Sequence, residues 1–270
     1  MCSNNTQPDE RMKVTFLGSG TSQGVPVIGC TCEVCRSLDF RDKRLRASIQ
    51  VELSNQSFVV DTGPDFRQQM LRERVKRIDA ILFTHAHRDH TAGLDDVRAY
   101  NFMQKMDMPV YGTQSVLDQL KIEYAYAFMK DAYPGIPRLL LNLIDEIPFS
   151  VNGINIIPLP VLHLKMPVMG FRFGNFAYIT DANFIPDSTF EKLKGTEILV
   201  LNALQREQHV SHFNLQEALA TVEKIKPQKT YFTHISHKLG LHTDVQKELP
   251  SDVMLAYDGL QIEIPLTVNC

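Results

Sequence analysis

The chain lacks any run of about 18 uninterrupted apolar residues, so the sequence predicts no membrane-spanning helix. It lacks a strong charge of either sign. Lys and Arg number 28 against 31 Asp and Glu, a formal charge of −3. That balance removes the electrostatic signature of non-specific binding to nucleic acid or membrane. The opening residues, MCSNNTQPDERMK, lack the apolar core of a secretory signal, which predicts a cytoplasmic protein. The cysteines number five. An odd count in such a compartment argues against a disulfide framework. Linkers, internal repeats and low-complexity runs are also missing. The expectation is one domain over residues 1–270, with 44% apolar residues available for its core.

What is present alternates between strand and helix signals. KVTFLGSG (13–20), RASIQVEL, SFVVDTG, IDAILFTH, PVYG, EILVLNA (197–203) and KTYFTHI (229–235) read as strands. Further strands are expected over 151–181, with a hairpin signal at Gly174-Asn175. PDFRQQMLRERV, GLDDVRAYNFM, TQSVLDQLKIEYAYAFM and NLQEALATVEKI (214–225) carry helical periodicity. A short helix and two strands close the chain. Residues 18–44 read as a long irregular loop, and 133–148 support no assignment. The pattern is mixed α/β (α+β). Two packed sheets with helices outside, an αββα sandwich, fit it.

FTHAHRDHTAGL (83–94) stands out. His85, His87, Asp89 and His90 leave the end of a buried strand, and imidazole and carboxylate suit Zn, Mn or Fe. Residues two apart on a strand share a face, so His85 and His87 could hold one cation while Asp89 and His90 hold a second. His163, Asp181 and His234 each end an apolar run, where a scaffold aims side chains rigidly. Cys30, Cys32 and Cys35 lie within six residues, and three thiolates so close favour a closed tetrahedral zinc. His237 in THISH offers the missing fourth ligand.

The HxHxDH loop followed by distant His, Asp and His resembles the metallo-β-lactamase superfamily of dinuclear hydrolases, over residues 13–260. The resemblance implies the αββα sandwich of two mixed sheets, flanked by helices, with the metals at one sheet edge. It implies His85, His87 and His163 on one metal, Asp89, His90 and His234 on the other, and Asp181 bridging. Asp61 in VVDTG matches the residue that braces the loop. GTSQGVPVIGCTCEVC, DTGPDFR, YITDAN and THISH together resemble the PhnP-type phosphodiesterase branch, which is related to ribonuclease Z. That branch implies two Mn²⁺ or Zn²⁺ ions in the active site. It also implies a structural Zn²⁺ on Cys30, Cys32, Cys35 and His237, within a zinc-binding loop at about 18–44.

Two divalent cations, Asp89, Asp181 and a bridging hydroxide would leave a small positive charge that attracts a phosphodiester anion. The hydroxide would be the nucleophile. The leaving oxygen needs a proton, and His212 in HVSHFNL, where the branch also has a histidine, is the candidate donor. Arg88 and Lys165 adjoin ligands in sequence and could contact phosphate. The expected substrate is a small phosphodiester, such as a cyclic phosphate or nucleotide. The resemblance also suggests a homodimer. Nucleic acid is disfavoured, since ribonuclease Z adds a basic, Gly-rich arm and residues 124–140 are instead apolar and aromatic, suited to a lid or to packing. Thioester or lactone hydrolysis uses the same seven ligands but not the cysteine site. A zinc-dependent binding module without turnover is the non-enzymatic alternative.

Overall fold

The computed structural model describes residues 11–130 and 133–266. Cys2, Cys270 and most of the polar opening segment lie outside the described residues. β1 (Arg11–Gly18), β2 (Ser48–Leu53) and β3 (Gln56–Val60) pair antiparallel in succession. The β2–β3 turn, Ser54-Asn55, has φ values of 49° and 62°, the primed geometry that matches strand twist. The loop between β1 and β2 carries the short helix α1 (Glu33–Arg36).

After β3 the connections become helical crossovers. α2 (Phe66–Glu73), β4 (Ala80–Leu82), α3 (Arg88–Thr91), α4 (Arg98–Gln104), β5 (Met108–Gly112), α5 (Gln114–Glu123) and β6 (Leu139–Leu143) follow. They add β4, β5 and β6 parallel to β3. β7 (Phe149–Val151), β8 (Ile154–His163), β9 (Met166–Phe173) and β10 (Phe176–Tyr178) then start a second sheet as antiparallel neighbours. The predicted Gly174-Asn175 turn joins β9 to β10, with Gly174 at φ 55°. α6 (Asp187–Leu193), β11 (Ile198–Asn202), α7 (Leu215–Ile225), β12 (Lys229–Thr233), α8 (His242–Glu248) and β13 (Val253–Leu255) extend it in parallel. β14 (Gln261–Pro265) returns to the first sheet beside β1.

Among the described residues each sheet therefore has seven strands, with three antiparallel and three parallel pairings. Met12, Val14, Phe16, Ile49, Val51 and Phe58 on the first sheet pack between the sheets against Phe171, Phe173, Tyr178 and Val200 on the second. Burial of each such large side chain contributes roughly 1.5–3 kcal/mol. The outer faces bury Phe66, Leu94 and Leu120 on one side, and Leu193, Ala218 and Val245 on the other, under the helices. This is the expected αββα sandwich. Among the described residues no helix is long and apolar enough to cross a membrane.

Three local expectations change. β6 occupies the stretch that the sequence left unassigned, as an edge strand with Leu140 and Leu143 exposed. α6 had no counterpart in the sequence reading. The helix expected through Met129 stops at Glu123, and Ala125–Phe128 form a separate 3₁₀ turn.

Candidate metal centre

The centre forms where strands of both sheets end. Asp61 follows β3, His85 lies three residues past β4, His163 closes β8, Asp181 lies three past β10 and His234 follows β12. Asp61, Asp181 and His234 all take left-handed backbone conformations, with φ of 63°, 56° and 55°. Side chains other than Gly rarely adopt that region, and it clusters at functional sites. β4 itself ends at Leu82, so His85 and His87 do not share a strand face as expected. His87 caps α3, and Asp89 and His90 occupy its single turn.

The loop is pinned to the Asp61-Thr62-Gly63 turn. Thr62 N–H donates to His90 O at 2.7 Å, and Gly93 N–H to Thr62 O at 2.8 Å. A Cβ on Gly63 would lie 2.2 Å from Asp89 O, so only glycine permits this approach.

Asp61 is fully buried and fixes two imidazoles. One oxygen accepts from Thr84 N–H at 2.9 Å; the other accepts from the Thr84 hydroxyl at 2.8 Å and from His90 Nδ1 at 2.7 Å. In the neutral ring, the proton on His90 Nδ1 leaves Nε2 bare. The Thr84 hydroxyl gives its proton to Asp61, so it accepts from His85 Nδ1, 2.9 Å away. His85 Nε2 is thereby bare too, and lies 3.1 Å from His87 Nδ1. Two imidazole ligands on one tetrahedral cation stand at about that separation. His163 donates from Nδ1 to Ser211 O at 2.8 Å, which frees its Nε2. Its ring centroid lies 5.3 Å from that of His87 and 6.0 Å from that of His85.

Asp89, His90, Asp181 and His234 bring their ligand atoms within 4.8 Å of one another, and so do His163, Asp181 and His212. Asp181 belongs to both groups. His90 Nε2 and both ring nitrogens of His234 are buried without an aligned hydrogen bond. Carboxylate oxygens nevertheless crowd them: His90 Nε2 lies 3.2 Å from Asp89 Oδ2 and 3.3 Å from Asp181 Oδ2, and His234 Nε2 lies 3.0 Å from Asp181 Oδ1. Buried nitrogens and carboxylates so close but unaligned are costly unless something else binds them. Burial disfavours charge on His90, but Asp181, Asp61 and Asp89 outweigh it and hold its pKa well above the ordinary value. Burial likewise raises Asp181, yet His234 and His90 pull it well below the carboxylate range. His85 is pushed well down by burial and by His90. These side chains fit a cation: the carboxylates of buried Asp181 and part-buried Asp89 crowd against buried imidazole nitrogens.

His212 sits inside the cluster. It is 9% exposed, and its Nε2 donates to Asp181 Oδ1 at 3.0 Å. Burial lowers its pKa to about 4. Its Nδ1 lies 3.2 Å from His209 Nδ1 and 3.1 Å from Ser211 Oγ. His209 is not among the sequence candidates, although its spacing from His212 in HVSH is a usable signal. Arg88, a candidate phosphate contact, instead pairs with Glu123 at 3.2 Å. Lys165 is exposed.

The second cluster also forms. Cys30 Sγ and Cys32 Sγ lie 3.3 and 3.4 Å from His237 Nδ1, and the ligand atoms of Cys30, Cys32, Cys35 and His237 all lie within 4.8 Å of one another. Backbone N–H groups lower the Cys30 and Cys32 thiols, whereas burial pushes Cys35 up to about 11. Ser19 Oγ and N–H, Leu45 N–H and Arg72 all converge on Asp258, and buried Arg44 bonds Ala256 O at 2.6 Å. These contacts tie both ends of the cysteine loop to the chain just after β13.

Residues 56–235 match the family described as the beta-lactamase superfamily domain. The crystal structure of a diphosphatase from the PhnP family is 41% identical, with a TM-score of 0.89, and the match covers 95% of this chain and 98% of that one. The octanoyltransferase of Porphyromonas gingivalis (strain ATCC BAA-308 / W83) is 38% identical over 253 residues, 93% of this chain and 51% of that protein. A ribonuclease Z of Staphylococcus epidermidis (strain ATCC 12228 / FDA PCI 1200) is 24% identical over 169 residues, 60% of this chain and 49% of that protein. The chain thus spans about half the length of the curated relatives it matches.

Proposed function

The chain belongs to the beta-lactamase superfamily, in its metallo-hydrolase group, and on that premise we propose that it is a dinuclear phosphodiesterase of PhnP-like type. The observation that carries this reading is the crowding of buried imidazole nitrogens of His90 and His234 against the carboxylates of Asp89 and Asp181, at 3.0–3.3 Å and without an aligned hydrogen bond. In this reading His85, His87 and His163 would hold one Mn²⁺ or Zn²⁺ ion, and Asp89, His90 and His234 would hold the other. Asp181, whose carboxylate lies near Asp89, His90 and His234 and also near His163, would be placed to bridge them. Bound there, two divalent cations supply Lewis acidity and bring the pKa of water down toward about 7.

The chain's own groups do the rest. Asp61 holds the proton of a neutral His90 on Nδ1 and, through the Thr84 hydroxyl, that of a neutral His85 on Nδ1, so each ring presents its Nε2 to the ions. Ser211 O does the same for His163. His212 presents an N–H at Asp181, beside the proposed bridge, and donates it to the leaving oxygen of the ester. An alkoxide needs that proton, whereas a phosphate leaving group does not. The Cys30, Cys32, Cys35 and His237 cluster takes a structural zinc that holds the loop at the site's edge.

A second reading, cleavage of a diphosphate, is favoured by 41% identity to the PhnP-family diphosphatase over almost its whole length. The acyl-transfer name of the Porphyromonas protein applies to a chain about twice as long and is not carried over. The deciding experiment measures metal content and hydrolysis of bis(p-nitrophenyl) phosphate, a cyclic nucleotide and a nucleoside diphosphate. Diester turnover with about three metals per chain supports the phosphodiesterase, and turnover of the diphosphate alone supports the second reading. One zinc and no turnover would leave a non-catalytic zinc module.

A further inference from the structure

We propose that Asn202 is a positioning residue that holds Asp181, His212 and His234 in register with one another. This rests on the reading of Asp181 as the carboxylate shared by two ions. The backbone of Asp181 is left-handed, at φ 56°. A residue other than glycine keeps that conformation only where its surroundings over-determine it. The ladder between β10 and β11 stops short of it, at Tyr178 opposite Val200.

The side chain of Asn202, at the end of β11, takes over from there. Its Oδ1 accepts from Ala182 N–H at 2.7 Å, and its Nδ2 donates to Ala182 O at 2.9 Å. The pair fixes which end of the amide is oxygen, since a flipped amide would set donor against donor and acceptor against acceptor. Asn202 and Ala182 are both fully buried, so losing the amide leaves two buried backbone groups unpaired.

Two further contacts make Asn202 a hub. Ala182 O also accepts from the N–H of Phe213, the residue after His212, at 2.7 Å. On its other side Asn202 pairs in strand register with Thr233, the residue before His234. The neighbours of all three site residues thus meet at Asn202. In the site itself, Asp181 Oδ1 lies 3.0 Å from Nε2 of both His212 and His234. Loosening Ala182 would shift that carboxylate against both rings.

Mn²⁺ binding tests this without substrate. Asn202→Thr, close in size and suited to a strand end, removes the paired amide, and Asn202→Ala is the second variant. Each should weaken binding of both Mn²⁺ ions by about 10–100-fold in competition with a chelator, because Asp181 is common to the two. Each should also replace the spin-coupled EPR signal of a paired Mn²⁺ centre with that of isolated ions. Asn101→Ala controls for lost stability: Asn101 is another buried amide, on α4, bonded to Met106 O and to Arg138. It should lower the melting temperature and leave affinity and signal unchanged. Asp181→Asn separates the two levels. If Asp181→Asn loses the coupled signal while both Asn202 variants keep it and bind Mn²⁺ within about threefold of the parent protein, the positioning role alone is overturned. An equal loss in Asn101→Ala overturns it too. If Asp181→Asn keeps the signal, or the parent protein binds no Mn²⁺ pair, the reading of Asp181 falls with it.

Discussion

Replacing Asp61 by Asn tests how the loop is held in its ligand state. The carboxylate accepts three buried hydrogen bonds at 2.7–2.9 Å. An amide is nearly the same size but has one acceptor. If its oxygen keeps the Thr84 N–H, its NH₂ group faces His90 Nδ1 and the Thr84 hydroxyl. His90 then has to accept at Nδ1 and carry its proton on Nε2, pointed at the place a cation would take. The Thr84 hydroxyl, released from Asp61, turns its proton toward His85 Nδ1 and flips that ring likewise. A charge-assisted hydrogen bond contributes about 1.5–3 kcal/mol, which converts to roughly 10–150-fold at 1.4 kcal/mol per decade. Partners behind metal ligands typically cost 10–100-fold in affinity when mutated. Asp61→Asn should therefore weaken Mn²⁺ or Zn²⁺ binding at the centre by about 10–100-fold, read by competition with a chelator. It should leave the cysteine-site zinc in place. An affinity within about threefold of the parent protein would refute the tautomer argument.

Asp89→Ala should remove one anionic ligand and cut turnover by roughly 10²–10⁴-fold, the equivalent of several kcal/mol of transition-state stabilisation, while circular dichroism stays native. Normal activity in the folded variant would remove Asp89 from the centre. Cys32→Ser should lose about one zinc per chain and lower the melting temperature, and unchanged values of both would show that the cluster holds no metal. The pH dependence of stability should report His242. Burial and the charges of Arg44 and Arg41 push its folded-state pKa down to about 4, and Arg44 Nη2 donates to its Nδ1 at 3.2 Å. The neutral ring is therefore the native form. Its contribution is complete above the unfolded value of about 6.5 and disappears as pH falls from there toward 4. Discounted for solvent screening, it amounts to roughly 1–2 kcal/mol. Urea midpoints at pH 7.5 and 5 should differ less in His242→Asn than in the parent protein; equal differences would clear His242.

The sequence made most of this architecture readable because its signals were local. The 85–90 loop places four candidate metal ligands in six positions after an apolar strand, and that density has few structural explanations. His163, Asp181 and His234 were legible as strand-end residues, and Gly174-Asn175 as a turn. What stayed hidden depends on contacts distant in sequence. β6 is an edge strand with exposed leucines, so it lacks the alternation of a half-buried strand. The helix predicted through Met129 breaks where Tyr124 turns its hydroxyl to Thr91 O, 2.8 Å away, a tertiary contact that overrides periodicity. The mutual placement of His209, His212 and Asp181 needs a separation of about 30 residues to close, and spacing alone could not show it.

The most direct measurement is anomalous diffraction at the Mn and Zn absorption edges from crystals of the metal-loaded protein. The account predicts two peaks flanking the Asp181 carboxylate, one bound by His85, His87 and His163, the other by Asp89, His90 and His234. A third peak, of zinc, should lie among Cys30, Cys32, Cys35 and His237. Absence of peaks around Asp181 under saturating metal, or peaks beyond bonding distance of those side chains, would contradict it.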